Sequence, residues 1–285
     1  AQGKKVGSYQ KWLAAGALSR GKLFIDSGAE QALRKNKKSL LVQGITAVKG
    51  TFEHYKTKVG LAENPAVRQS LVESPFDYGQ QVRLYLPDDL PEPNHPEFSD
   101  AAAKRVIQLI NQAGGGAFVL CTSRRMVQFF ANALEASTPY QILLQGQAPR
   151  THLLDAFRKD GHAILVATMS FWQGVDVAGD TLSCVIIDKL PFTPPGDPIT
   201  AARMDAIARD GGSPFADYQV PMAILTLLQG IGRLIRHRQD RGVLSILDSR
   251  MLTKGYGRRF LASLPPSPVV REIADVEQFL TEKGM

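Results

Sequence analysis

Four polar residues at helical spacing give the most specific chemical signal in the sequence. They are Gln229, Gly232, Arg233 and Arg236, within the octapeptide QGIGRLIR at 229–236. On a helix they fall at i, i+3, i+4 and i+7 and share one face, whereas leucine and isoleucine cover the remaining surface. This pattern predicts a buried helix with one polar seam, and two guanidiniums beside a glycine suit a polyphosphate. The alternative is that the arginines pair with buried carboxylates.

Five short apolar runs alternate with helical stretches from about residue 100 onward. The runs span 114–123, 140–147, 163–171, 182–192 and 242–250. Helices are predicted at 124–134, 151–159, 201–208, 220–237, 256–264 and 270–280. Strands that are apolar on both faces and alternate with helices indicate a parallel sheet covered on both sides. The predicted fold class is therefore α/β, with a doubly wound parallel sheet and helices on both faces.

Polar residues cluster where these strands end. A doubly wound sheet binds its ligands at the carboxyl ends of its strands. Thr122 and Ser123 follow the first run, residues 168–176 follow the third, and residues 248–250 follow the fifth. The pair Asp188 and Lys189 ends the fourth run, where it fits either a functional role or a local ion pair; the pattern favours the ion pair.

The net charge of +7 is concentrated at one end of the 285 residues. Residues 1–60 contain 12 Lys/Arg and 3 Asp/Glu, whereas residues 61–285 carry a balance of −2. Such a basic segment either binds nucleic acid or is a solvated lead-in. No apolar run approaches the roughly 18 residues that span a membrane. The two cysteines, Cys121 and Cys184, lie in apolar runs, so we expect buried thiols and a cytoplasmic protein.

A proline-rich stretch suggests the domain organisation. Residues 86–98 contain four prolines in 13 residues, which excludes a helix or a central strand. Upstream of it, a helix is predicted at 52–61 and an extended segment at 72–87. We therefore expect a basic lead of unassigned structure at 1–48, a connector at 49–96 and the α/β domain at 97–285.

Four sequence motifs resemble a known family. They are SPFDYGQQVRLYLP at 74–87, FVLCTSRRM at 118–126, ILVATMSFWQGVDVAGD at 164–180 and QGIGRLIRHRQDRGVLSILDSR at 229–250. In this order they resemble the C-terminal motor half of the iron–sulfur-type superfamily 2 DNA helicases, the group that contains XPD and bacterial DinG. Within that group, the motif sequences most resemble those of the bacterial DinG-like proteins. The resemblance implies that 97–285 is a RecA-like second motor domain and that the connector holds the end of the first.

The resemblance also implies roles for individual residues. Arg233 and Arg236 resemble arginine fingers, and Gln229 resembles the residue that contacts the γ-phosphate or the attacking water. Gly174, Asp176 and Gly232 match positions that bind the nucleotide and couple it to DNA. The implied DNA contacts are Thr122, Ser123, Thr168, Ser170 and Trp172. For Phe171 and Trp172, base stacking and burial in the core both remain open.

Cofactors and partners follow from the same resemblance. It implies ATP with Mg²⁺, bound mainly by a first motor domain, and an iron–sulfur cluster whose four-cysteine module does not occur in these residues. Neither a Gly-x-x-x-x-Gly-Lys-Ser/Thr motif nor an Asp-Glu-x-His motif occurs either, so we expect the chain alone to be a very poor ATPase. The implied partners are single-stranded DNA, the first RecA-like domain and replication or repair proteins, with no membrane.

The predicted function is therefore the C-terminal half of an ATP-dependent DNA helicase that translocates on a single strand and unwinds duplexes 5′ to 3′ in repair or replication. The alternative is a non-catalytic module that binds nucleic acid or a partner protein and has kept the fold. The seam at Gln229, Arg233 and Arg236 argues against that alternative, because an adaptor has no use for arginine fingers.

Overall fold

The computed structural model describes residues 21–25, 45–50, 76–172, 181–193, 196–231, 234–235 and 239–282. The chain divides into two compact units, residues 1–75 and residues 76–285. In the first unit, β1 (Gly21–Ile25) and β2 (Ile45–Gly50) pair in antiparallel fashion. The helix predicted at 52–61 lies outside the described residues.

A seven-stranded parallel sheet organises the second unit. Its strands are β3 (Val82–Tyr85), β4 (Ala117–Cys121), β5 (Ile142–Leu144), β6 (Ile164–Thr168), β7 (Cys184–Ile187), β8 (Gly242–Ile246) and β9 (Val269–Val270). The spatial order is β5-β6-β4-β7-β8-β3-β9, and every neighbouring pair is parallel. The α/β fold class with a doubly wound parallel sheet is therefore confirmed.

Helices connect and cover these strands. They are α1 (Tyr78–Gln81), α2 (Phe98–Ala113), α3 (Arg124–Ser137), α4 (Arg150–Asp160), α5 (Pro198–Arg209), α6 (Val220–Ile231), α7 (Arg250–Thr253), α8 (Gly257–Leu261) and α9 (Ile273–Thr281). A 3₁₀ turn spans Met169–Trp172 after β6, and a π-helical turn, Phe215–Gln219, precedes α6. The helices predicted from the sequence correspond to α3, α4, α5, α6, α8 and α9.

Two hydrophobic cores lie on opposite faces of the sheet because side chains alternate along each strand. On β4, Phe118 and Leu120 point into the core that α4, α6 and α8 cover. Ala117, Val119 and Cys121 point into the other core, beneath α2, α3 and α9. All five β4 residues are fully buried, as expected of a central strand with helices on both sides.

Three successive glycines fix the point at which β4 begins. Gly114, Gly115 and Gly116 have φ values of 68°, 83° and 58°, a region that side-chain-bearing residues rarely adopt. A methyl group on Gly115 would collide with the carbonyl group of His162. Gly114 ends α2, and the turn then delivers the chain directly into the strand.

The sheet begins earlier in the sequence than the proline-rich stretch indicates. Strand β3 lies in the segment predicted as connector, yet it pairs with β8 on one side and with β9 on the other. Leu86 and Leu90, within the predicted linker, are also buried. The prolines are compatible with this because they lie beyond the end of β3, where a sheet needs no N–H donor.

The helix that carries the polar seam ends sooner than its periodicity predicts. The sequence predicted a helix through residue 237, whereas α6 ends at Ile231 and the described residues Leu234 and Ile235 are not helical. Glycines at 230 and 232 weaken a helix at this point. Leu234 and Ile235 are 1% and 4% exposed and pack in the core that α4, α6 and α8 cover.

Candidate nucleic-acid interface

The carboxyl ends of β6, β4, β7 and β8 form one continuous edge of the sheet. Because all strands are parallel and adjacent in that order, the residues after them lie side by side. Thr168 ends β6, Thr122 follows β4, Asp188 follows β7 and Asp248 lies just beyond β8. The structure thus brings together described residues from the four polar groups that the sequence placed at strand ends.

Thr122 is exposed, but its hydrogen-bond donors are directed inward. Its main-chain N–H donates to Oδ1 of Asp188 at 2.9 Å, and its hydroxyl donates to Oδ2 at 3.2 Å. Both donors that the resemblance assigns to a DNA phosphate are therefore satisfied by a neighbouring strand.

Ser123 begins the helix that follows Thr122. Its hydroxyl oxygen accepts the N–H of Met126 at 3.2 Å, which makes it the N-cap of α3. Arg124 and Arg125, the first two helical residues, are exposed. The positive end of the helix dipole and two guanidiniums thus lie next to Thr122, which favours an anion at this corner.

Thr168 is hydrogen-bonded to the side chain of Gln145, which follows the neighbouring edge strand β5. Its N–H and its hydroxyl both donate to Oε1 of Gln145, at 2.7 and 3.0 Å. Ser170 and Trp172 lie in the 3₁₀ turn that follows, where only their backbone is described. Phe171 is 7% exposed, with the guanidinium of Arg150 5.2 Å from its ring centroid, so for this aromatic the core interpretation is correct.

Asp188 and Lys189 do not form the local ion pair that the sequence favoured. Besides the two contacts from Thr122, the Asp188 carboxylate accepts the main-chain N–H of Lys189 at 2.7 Å. The Lys189 ammonium lies 4.9 Å from the ring centroid of Phe98 instead. Burial raises the pKa of Asp188 to about 7, although its hydrogen bonds and the nearby Lys189 charge oppose that increase.

An ion pair between Asp248 and Arg250 lies at the carboxyl end of β8. Asp248 is 1% exposed and binds Arg250 through two guanidinium contacts, at 2.8 and 2.6 Å. It also accepts the N–H of Leu190 at 2.8 Å, which ties the segment after β7 to the segment after β8. The bidentate pair is the geometry in which an arginine–carboxylate contact is strongest. The sequence placed residues 248–250 at a strand end but did not predict this pairing.

An aromatic cluster lies beside that ion pair. Phe192, Phe215 and Tyr256 have ring centroids 5.2–5.7 Å apart, and Phe260 extends the cluster inward. The guanidinium of Arg250 lies 5.6 Å from the centroid of Phe192. The sequence analysis did not predict this cluster, because its members come from three separate segments and show no periodicity.

The predicted nucleotide-binding residues are mostly outside the described part of the chain. Gly174, Asp176, Gly232, Arg233 and Arg236 all lie there. Gln229 is in the last turn of α6, where the backbone alone is described. Their roles therefore stay predictions.

The two cysteines are buried thiols, as the sequence predicted. Cys121 lies in β4 and Cys184 in β7, and neither forms a disulfide. Burial raises the pKa of Cys184 to about 12, so its thiol stays protonated. Within the described ranges, no cluster of three or more His, Cys, Asp or Glu side chains is arranged to hold a metal ion. No helix in the same ranges has the length and apolar character needed to cross a bilayer.

Comparisons with known proteins agree with this architecture. The helicase C-terminal domain family matches residues 106–267. The ATP-dependent DNA helicase YoaA of Escherichia coli is 45% identical over 234 residues, which cover 82% of this chain and 36% of that protein. The ATP-dependent helicase DinG of Mycobacterium tuberculosis is 37% identical over 229 residues, covering 80% of this chain and 34% of that protein.

A solved structure shows the same fold at low sequence identity. The structure titled XPD_Helicase superposes with a TM-score of 0.53 and 16% identity, over 76% of this chain and 41% of that one. The chain spans about a third of the length of the curated relatives it matches. From the family match, the chain belongs to the helicase C-terminal domain family, and its sequence is similar to the YoaA and DinG helicases.

Proposed function

We propose that this chain supplies the second motor half of an ATP-dependent DNA helicase that moves along single-stranded DNA and unwinds duplexes 5′ to 3′. The observation that carries the proposal is the N-terminus of α3, where Ser123, Arg124 and Arg125 are exposed beside the carboxyl ends of β4 and β6, in a chain whose relatives are named ATP-dependent DNA helicases. A DNA strand laid along this edge would meet the main-chain N–H groups at the start of α3 and the hydroxyl group of Ser123, and such groups hold phosphates without reading sequence.

In this proposal the segment after α6 serves ATP hydrolysis. Arg233 and Arg236 act as arginine fingers that stabilise charge on the transferred phosphoryl group, and Gln229 contacts the γ-phosphate or the attacking water. Gly174 and Asp176 connect the state of the nucleotide to the DNA side.

DNA would follow the sheet edge from Thr168 to the start of α3. Ser123 and the N-terminus of α3 are the strongest phosphate contacts in this proposal, since Arg124 and Arg125 add charge there. Ser170 and Trp172 would extend the track beyond β6, with Trp172 stacking a base. The basic lead at 1–48 would add attraction that is independent of sequence.

ATP and Mg²⁺ would be bound mainly by the first RecA-like domain of the same protein, which is the chief partner proposed, together with replication or repair proteins in the cytoplasm. An iron–sulfur cluster does not fit the residues of this chain. Such a cluster needs four thiolates, whereas the two cysteines here lie in the sheet and the Cys184 thiol stays protonated. No step of the proposed function therefore uses a cluster on this chain.

The decisive test joins the chain to the first motor domain of a close relative and measures DNA-stimulated ATP hydrolysis. Arg236→Ala should lower turnover by about 10³-fold and leave single-strand binding within about twofold, because a finger acts on the transition state. Arg258→Ala, at an exposed arginine of α8, is the matched control and should turn over ATP as the parent does. An Arg236→Ala protein within threefold of the parent would mean that Arg236 pairs with a carboxylate in the core.

The alternative function is a binding module without catalysis. The same joined protein separates the two, since a module would bind single-stranded DNA but show no ATP hydrolysis that depends on Arg233 or Arg236.

A further inference from the structure

A buried carboxylate lies directly behind the proposed phosphate contact. Asp188 is 0% exposed, and its N–H continues the sheet ladder by donating to the carbonyl oxygen of Leu120 at 3.1 Å. Its carboxylate is hydrogen-bonded by the N–H and hydroxyl of Thr122 and by the N–H of Lys189. A buried negative charge held only by neutral donors is costly, which makes this contact an unusual anchor for a turn.

The contact has a direct consequence for what the edge offers DNA. Thr122 has two donors, and both are given to Asp188. Ser123 accepts from Met126, and a hydroxyl that accepts one hydrogen bond still has its own proton to donate. The two neighbouring residues therefore differ: Ser123 can donate to a phosphate oxygen, whereas Thr122 can do so only after leaving Asp188.

We propose that Asp188 is a positioning residue that withholds both donors of Thr122 from a DNA phosphate, so that the charge on Asp188 sets the strength of the single-strand contact at this edge. The proposal rests on the proposed function, because it assumes that phosphate binds beside Thr122 and Ser123. It assigns Thr122 a role opposite to the one that the resemblance implies.

Charge and hydrogen bonding act in the same direction. An ionised Asp188 repels a phosphate at the turn and holds the Thr122 hydroxyl proton. A neutral Asp188 removes the repulsion, and its own proton can be donated to Oγ1 of Thr122, which frees the hydroxyl. Burial raises the pKa of Asp188 to about 7, so the change falls near neutral pH. Affinity for single-stranded DNA should therefore decrease as the pH rises through about 7.

Among the residues that the structure describes, few charged or titratable groups lie around Asp188. The thiol of Cys121 faces it from β4, and burial keeps the pKa of that thiol well above its usual value. Lys189 follows it in the chain and lowers its pKa. On the β8 side lies Asp248, which is paired with Arg250. Burial keeps the Cys121 thiol protonated near neutral pH, whereas the charge of Asp188 changes there.

Asparagine at 188 is the informative substitution. Its Oδ1 can keep the N–H groups of Thr122 and Lys189, which both bond to Oδ1 of the native carboxylate. Its Nδ2 would donate to Oγ1 of Thr122, where the native oxygen accepts. Asp188→Asn therefore preserves the turn, removes the charge and frees the Thr122 hydroxyl proton.

The test is a double-mutant cycle on the 285-residue chain, read by fluorescence anisotropy with a labelled oligo-dT strand at fixed salt. At pH 8, Asp188→Asn should bind about tenfold more tightly, the scale of one hydrogen bond to a charged group. Thr122→Val should change affinity by less than about twofold in the native chain and should remove most of the gain in the Asp188→Asn chain. Thr138→Val, at the far end of α3, is the matched control.

The proposal would be overturned if Thr122→Val lowered DNA affinity in the native chain by as much as it does in the Asp188→Asn chain. The Thr122 hydroxyl would then already bind phosphate in the native chain.

A second readout needs no DNA. The Thr122 amide signal in ¹H–¹⁵N NMR should titrate with a midpoint near 7 in the native chain and stay constant in Asp188→Asn. If the Thr122 amide signal of the native chain does not change with pH while DNA binding is intact, the role of Asp188 is contradicted but the proposed function is not. Absence of DNA binding in every variant contradicts the proposed function and the role of Asp188 with it.

Discussion

Removing the ring of Phe279 should test how the C-terminal helix is attached to the sheet. Phe279 lies on α9, is 2% exposed and packs in the core beneath α2 and α3. The guanidiniums of Arg83, from β3, and Arg241, just before β8, each lie 4.3 Å from the centroid of its ring. One aromatic side chain therefore joins α9 to two strands at once.

The magnitude follows from burial and from these two cations. Truncating a buried phenylalanine to alanine costs about 3–5 kcal/mol. Each cation–π contact adds about 0.5–1 kcal/mol where the cation keeps some contact with water, as Arg241 does with 26% of its side chain exposed. We expect Phe279→Ala to lower the free energy of unfolding by about 4–7 kcal/mol. Phe279→Leu keeps apolar volume and loses the ring, so its loss should be about 1–2 kcal/mol.

The measurement is urea unfolding of the whole chain, followed by far-ultraviolet circular dichroism, which reports on the helices. Leu225→Ala is the matched control, because Leu225 is 43% exposed and its truncation should change stability by less than about 0.5 kcal/mol. A loss below about 1.5 kcal/mol for Phe279→Ala would refute the reasoning, since a ring that buried cannot be removed so cheaply if α9 is docked.

Three further predictions concern catalysis, DNA affinity and pH. The 285-residue chain should hydrolyse ATP no faster than background, and robust DNA-stimulated turnover would contradict its assignment as half of a motor. Deleting residues 1–48, which carry most of the basic excess, should weaken single-strand binding and flatten its salt dependence; equal slopes in a salt titration would show that the lead takes no part. Because burial raises the pKa of Asp188 to about 7, above its unfolded value, its contribution to stability should fall as the pH rises from about 4 to about 7. Asp188→Asn should flatten that part of the stability profile, and an unchanged profile would mean that Asp188 does not titrate there.

The sequence predicted the central part of the fold because those strands are fully buried. Runs such as 163–171 are apolar on both faces, and a pattern of that kind has few structural interpretations. β3 and β9 were harder to recognise. β3 is followed by prolines that resemble a linker, and β9 has only two residues. α2 was missed as well, although its buried positions Ala102, Val106 and Ile110 recur at helical spacing.

The candidate site was predictable in position but not in hydrogen bonding. Residues at strand ends were placed correctly at one edge, because parallel strands leave no other arrangement. The hydrogen-bond acceptors for Thr122 and Thr168 are Asp188 and Gln145, which are 66 and 23 residues away in the chain. No local pattern encodes such pairs. The predicted ion pair between Asp188 and Lys189 was wrong for the same reason. Two opposite charges next to each other in the sequence do not determine which groups a buried carboxylate contacts in the fold.

The position of β3 between β8 and β9 determines which fragments of this chain can exist on their own. A fragment cut at the family match, 106–267, would lack β3, β9, α9 and part of α2. It would expose the N–H and C=O groups along one side of β8 and uncover the core beneath α9. An unpaired apolar strand at an open edge is a template for aggregation. A fragment for crystallisation or spectroscopy should therefore begin at residue 76 and retain α9, and insolubility of shorter fragments would reflect a missing strand rather than a faulty domain.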